Sequence, residues 1–93
     1  MKDAIRQIVD EIPSGMVFDS HFVIARLIRQ HSDAYLSFAS ALQLADGGTI
    51  AMHGRIGQEI AKLEGTTIAK IQNRSWSENI HGNASDCTAW KKT

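Results

Sequence analysis

The sequence holds one cysteine, Cys87, and one proline, Pro13. A single cysteine closes no internal disulfide and has no partner for a cysteine-pair zinc site, so a reducing compartment is the simplest setting. No stretch approaches the roughly 18 apolar residues of a membrane-spanning helix, and the N-terminus shows no signal-peptide core. Together these absences predict a cytoplasmic protein with no membrane partner. Net charge is missing too, since ten Lys and Arg balance ten Asp and Glu. A neutral total excludes disorder driven by self-repulsion. It also withholds the basic excess that strong nucleic-acid binders often carry.

Signatures of chemistry are equally scarce. The chain has no G-x-S-x-G, no phosphate-binding loop and no dinucleotide fingerprint. His21, His31, His53 and His81 are scattered, without the spacing of metal ligands. No catalytic residue, no metal and no cofactor is therefore expected, and Cys87 reads as a small core residue. Asn73-Arg74-Ser75 and Asn83-Ala84-Ser85 match the glycosylation triplet, and without an export signal both read as chance matches.

What is present is enough for one domain spanning residues 1–93, with 43% apolar residues to build a single core. Ala4, Ile5, Ile8, Val9 and Ile12 recur at helical spacing, and Pro13-Ser14-Gly15 ends that helix. Met16-Val17-Phe18 reads as a short strand. Asp19 or Ser20 caps a second helix with Val23, Ile24, Leu27 and Ile28 on its buried face. Ser32 reads as the cap of a third, carrying Tyr35, Phe38, Ala39 and Leu42. Asp46-Gly47-Gly48-Thr49 signals a turn. Met52, Ile56, Ile60 and Leu63 mark a fourth helix, whose first residues, Ile50-Ala51-Met52, also suit a short strand. Gly65 is placed to end that helix.

Beyond Gly65 the pattern turns to β. Thr66 to Gln72 is rich in β-branched residues and predicts a strand. Ser85 to Lys92 predicts a second, with Cys87 and Ala89 on one side and Thr88 and Trp90 on the other. The polar stretch from Ser77 to Asn83 reads as a long loop between them. Trp76 and Trp90 read as rings closing the edge of the core, or as bases' stacking partners. Charge is uneven along this order. Residues 1–48 carry four cations against six carboxylates, and residues 49–93 carry six against four. An anionic partner would therefore meet the C-terminal half.

Helix, short strand, two helices, glycine turn, helix and hairpin: this order resembles the winged-helix variant of the helix-turn-helix superfamily. The resemblance runs from Ala34 to Lys92 and implies an α+β fold, with a helical N-terminal two-thirds followed by a C-terminal β-hairpin wing. It makes the helix from Tyr35 to Leu44 the supporting helix, Asp46 to Thr49 the turn, the helix ending at Leu63 the recognition helix, and residues 66–92 the wing. Helix-turn-helix units use a turn of about 3–4 residues, often with glycine. The extra helix before the turn departs from the plainest three-helix pattern.

The fourth helix supports this by its own spacing. Arg55, Gln58, Glu59 and Lys62 share one face, opposite the apolar set. Arg suits guanine edges, Gln adenine edges and Lys phosphates, with His53 nearby. Gly54 and Gly57 cost the helix roughly 1 kcal/mol each relative to Ala, and leave room for a backbone or phosphate. In the wing, the candidates are Lys70, Asn73, Arg74, Asn79, His81 and Asn83, lying against a phosphate backbone or entering a minor groove. The expected partner is double-stranded DNA, the expected role transcription regulation. Such regulators commonly act as a homodimer, joined here by the first helix or an exposed aromatic. Two other readings compete. The neutral charge, with Glu59, Glu64 and Glu78, suits a protein partner instead. Gly54-Arg55-Ile56-Gly57 faintly resembles the G-x-x-G region of a KH domain, which would imply single-stranded RNA.

Overall fold

Three helices form where apolar side chains repeat at three and four residues, and each spends that face on the same core. In α1 (Lys2–Asp10) the buried residues are Ala4, Ile5, Ile8 and Val9. In α2 (Ser20–Gln30) they include Val23, Ile24 and Leu27, and in α4 (Gly48–Ala61) Met52, Ile56 and Ile60. Between them α3 (Ser32–Leu42) buries no residue fully; its Tyr35, Phe38, Ala39 and Leu42 pack on the core's rim. The computed structural model describes residues 1–42 and 48–93, so Asp46 and Gly47 of the expected turn, and Leu44 of the expected supporting helix, lie outside the described residues.

Five strands complete the described residues, in two antiparallel sheets. β1 (Val17–Asp19), β5 (Ala89–Lys92) and β2 (Ile68–Lys70) form a sheet with β5 in the centre. Phe18 stands opposite Trp90 across it, their ring centroids 5.8 Å apart. β3 (Ser75–Glu78) and β4 (Ala84–Cys87) form a separate hairpin. The chain thus leaves the sheet after β2, runs out and back through β3 and β4, and returns as β5. The last strand also holds the first helix. Lys92 reaches the end of α1, where its ammonium donates to the carbonyls of Val9 at 3.0 Å and Ile12 at 2.9 Å. A cation there satisfies orphan carbonyls and suits the negative helix end.

Several expectations need correction. Gly48 and Thr49 do not belong to a turn; they open α4, and Ile50 to Met52 continue it as helix. Ser32 is the first residue of α3, not its cap. Ser77 and Glu78 are not loop but strand, because β3 pairs with β4 through Ser77↔Ser85 and Glu78↔Ala84. The turn between them shrinks to residues around Asn79, whose amide donates to the Asn83 carbonyl at 2.9 Å. Gly82 takes φ +80° there, a conformation costly for any residue with a Cβ. The segment from Ser85 to Lys92 is two strands in two sheets. Its alternation breaks at Thr88, so Cys87, Ala89 and Trp90 are all buried. The two tryptophans part company: Trp90 is 1% exposed and Trp76 72%.

Other expectations agree with the fold. Asp19 caps α2, accepting from the Phe22 amide at 2.9 Å. Gly65, at φ +87°, lies in the turn after α4, although the helix stops at Ala61, before the expected Leu63. The architecture is α+β, with four helices and two small antiparallel sheets among the described residues; β1 falls between α1 and α2, and the last element is β5 of the three-stranded sheet rather than the hairpin. No described helix is long and apolar enough to cross a membrane.

Candidate functional site

Because α4 gives one face to the core, its other residues fall on two flanks and a crest. The flank toward the hairpin carries His53, Gly54, Gly57 and Gln58 and lines a cleft of about 440 Å³. The opposite wall comes from the β2 end and the hairpin, including Lys70, Arg74 and His81. The other flank faces α1, where Glu59 and, in the turn just after α4, Lys62 border a groove with Lys2 and Arg6. Arg55 stands exposed and makes no ion pair among the described residues.

The four residues of the expected recognition face therefore do not act as a unit. Gln58 lines the cleft. Lys62 turns toward α1 and binds Glu59 at 2.8 Å. Arg55 lies exposed on the same helix. Lys70 is exposed at the end of β2, and Asn73 is exposed in the link from β2 to β3. Arg74 is engaged: it donates to Asp86 at 2.6 Å and to Thr88 at 3.3 Å. Gly54 and Gly57 both have open space where a Cβ would stand. Neither has the left-handed φ that calls for glycine, so nothing inside the described molecule demands glycine at either position. The tetrapeptide from Gly54 to Gly57 lies within α4. A KH domain needs that G-x-x-G as a loop ahead of a helix, which removes the RNA reading based on it.

Sequence reasoning missed a polar cluster at the foot of the hairpin. His21, His53 and His81, scattered along the chain, all line the cleft. His53 bonds the Tyr35 hydroxyl at 2.8 Å through Nε2 and stacks on His81, ring centroids 6.3 Å apart. His81 in turn bonds Thr49 at 3.2 Å. Below them Asp19 accepts the hydroxyls of Ser75 at 2.7 Å and Ser77 at 2.9 Å. With its proton on Asp19, Ser77 accepts from the Nδ1–H of His21, 2.7 Å away. Asp19 thus caps α2 with one oxygen and anchors β3 with the other. Burial pushes its carboxyl pKa up, but the hydrogen bonds of Ser75, the Phe22 amide and Ser77, with the His21 charge, outweigh burial and hold it below the ordinary value. No linear signal marks this cluster, since Asp19 and Ser77 are 58 positions apart.

His53 gives the site a pH dependence. Burial first, then the charges of His81 and His21, hold its pKa below the ordinary 6.5. A histidine that protonates less readily folded than unfolded stabilises the fold fully above pH 6.5, and that contribution is lost as pH falls below it. Urea midpoints are therefore expected to decline with acid in that window, and His53→Gln to flatten the decline. An unchanged slope in the variant would show that His53 is not its source.

No family model, curated protein or solved structure matches this chain.

Proposed function

We propose that this chain is a winged-helix DNA-binding module of the kind used by small transcription regulators, with α4 presented to a major groove and the β3–β4 hairpin laid on the phosphate backbone. The observation that carries the proposal is the shared cleft of α4 and the hairpin, with Gly54 and Gly57 bare along its helical wall. Two glycines within a helix cost roughly 1 kcal/mol each. That cost, with no internal packing to require it, fits a surface kept low for another molecule's backbone. The strand order β1-β5-β2, with a hairpin rising beyond the sheet, agrees with a wing.

Cations flank this surface on both sides: Lys70 and Arg74 toward the hairpin, Lys62, Lys2 and Arg6 toward α1. Arg74 is held by Asp86, but both side chains are more than half exposed. Such pairs are worth about 0–1 kcal/mol, so exchange of that carboxylate for a phosphate costs little. Phosphate contacts release counterions, and each one contributes about 0.9 to the slope of log affinity against log salt. The test is anisotropy of a labelled duplex across a salt series. Wild type is expected to bind with steep salt dependence, and an Arg55→Ala, Lys62→Ala double variant to lose affinity and up to about two units of slope. Equal weak binding of the two proteins would reject the α4 surface.

A second reading is a protein-interaction module without nucleic acid. It is favoured by the exposed apolar side chains Ile50 and Trp76, at 76% and 72%, and by the neutral charge. Its mark would be a stable protein partner together with no salt-sensitive duplex binding. For a homodimer, α1 is a poor seam because its apolar face is spent on the core, which leaves Trp76 as the candidate contact.

A further inference from the structure

The cluster below the cleft contains more than a hairpin anchor. Asp19, His21 and Cys87 each offer one ligand atom, and the three atoms lie within 4.8 Å of one another. We propose that these three residues form a binding site for a thiolate-accepting divalent metal of the zinc class, closing the hairpin onto the start of α2. The donor set is one carboxylate oxygen, one imidazole nitrogen and one sulfur. Zinc takes all three types, at about 2.0–2.3 Å, and three protein ligands with one further position are a common arrangement for it. Tetrahedral ligands at those bond lengths stand roughly 3.3–3.6 Å apart, so the site closes with side-chain movements of about an ångström.

The surroundings are those of a metal site in three respects. First, Cys87 is buried at 6% exposure with its Sγ within 4.8 Å of ligand atoms of both Asp19 and His21. It is paired across the hairpin with Ser75, whose hydroxyl donates to Asp19. A thiol serving only as core filler belongs among apolar side chains. Second, Asp19 is already oriented by Ser75 and Ser77, and His21 by Ser77 at Nδ1, so a metal on Nε2 would keep that bond and displace only the 3.4 Å contact with Ser85. Outer partners of this kind fix ligand direction before a metal arrives. Third, His21 and Cys87 both line the cleft, which supplies an entry path and room for a water or other fourth ligand. Linear spacing hides the site: Asp19 and His21 are two residues apart, but Cys87 arrives from the far end of the hairpin.

The ligands come from two parts of the fold distant in sequence. Asp19 and His21 belong to the junction of β1 and α2, Cys87 to β4. A bound metal therefore cross-links body and hairpin, and binds more tightly to the folded chain than to the unfolded one. Metal binding is independent of whether the chain also holds a duplex, and the test does not involve DNA.

The experiment is anaerobic titration of the reduced, metal-free chain with Co²⁺, followed by displacement with Zn²⁺. Expected are one Co²⁺ per chain, a near-ultraviolet sulfur-to-cobalt charge-transfer band, visible bands of tetrahedral intensity, and loss of all of them on adding Zn²⁺. Cys87→Ser should abolish the charge-transfer band. His21→Asn and Asp19→Asn should each weaken Co²⁺ binding at least tenfold, and Ser77→Ala, which removes only an outer partner, by about 10–100-fold. His53→Asn and His81→Asn should leave it unchanged. Zn²⁺ should also raise the melting temperature of wild type and not of Cys87→Ser, with circular dichroism confirming that each variant is folded. Absence of the charge-transfer band in the folded wild type overturns the proposal. So does a band that survives intact in both His21→Asn and Asp19→Asn.

Discussion

Trp90→Ala is expected to cost about 3–5 kcal/mol, the range for removing a large buried aromatic. The side chain is 1% exposed on the central strand of its sheet. One face of it meets Phe18, with ring centroids 5.8 Å apart, and its indole N–H donates to Glu64 at 3.0 Å. The loss is therefore a cavity between sheet and helices together with a severed tie to the turn after α4. Domains of this size have about 5–15 kcal/mol in total, and each kcal/mol moves the melting temperature by about 4–8 °C. A drop of about 12–40 °C follows. Trp90→Phe keeps most of the ring and loses the hydrogen bond, so a much smaller drop is expected. Trp76→Ala, at a 72% exposed position, should fall within about 0.5 kcal/mol of wild type. Thermal melts of the three variants check the order. A tolerant Trp90→Ala would mean that the sheet does not pack on this ring.

The second large effect is expected at Asp19. Asp19→Ala removes the cap of α2, worth typically about 1 kcal/mol. It also removes the acceptor of Ser75 and Ser77, and hydrogen bonds to a charged group contribute about 1.5–3 kcal/mol each when well buried. Asp19 is only partly buried, so about 2–4 kcal/mol in all is expected. Asp19→Ser separates the two roles: a serine can cap the helix but is too short to reach the hairpin. Stability measured with a chelator present should then run wild type, Asp19→Ser, Asp19→Ala. In both variants amide exchange should quicken across β3 and β4 more than across β5. The carboxyl also predicts an acid transition. Its pKa is lower folded than unfolded, so its stabilisation is present above the ordinary 3.8 and is lost as pH falls below it. That step lies below the one assigned to His53 and should be missing from Asp19→Ser. Equal protection of β3 and β4 in wild type and both variants would show that the hairpin is held elsewhere.

Much of the scaffold can be read without coordinates. The faces of α1, α2 and α4 are visible because burial recurs at the helical period. Pro13, Asp19 and Gly65 mark boundaries because each acts on the backbone beside it. β3 is not legible for a specific reason. Its Ser-Trp-Ser-Glu run has no apolar alternation, since no hydrophobic core holds it: Ser75 and Ser77 are tied instead to Asp19. The passage from β4 to β5 is hidden in a single continuous run, because the switch between sheets at Thr88 leaves the β-like composition unchanged. Two glycines in succession suggested a turn reaching Thr49, yet Gly48 and Thr49 belong to α4. Periodicity also placed Arg55, Gln58, Glu59 and Lys62 on one side of their helix. It could not show that Glu59 and Lys62 border α1 while Gln58 faces the hairpin.

Local order along the chain was enough to mark the α+β class and the buried faces of α1, α2 and α4, because a helix repeats its buried side at a fixed short interval. Tertiary structure alone decided which tryptophan is core, which histidines meet, and that Asp19, His21 and Cys87 share one small volume. Those outcomes depend on contacts between segments far apart in the chain, 28 positions for His53 and His81 and 68 for Asp19 and Cys87, and no short-range repeat encodes a distance of that kind.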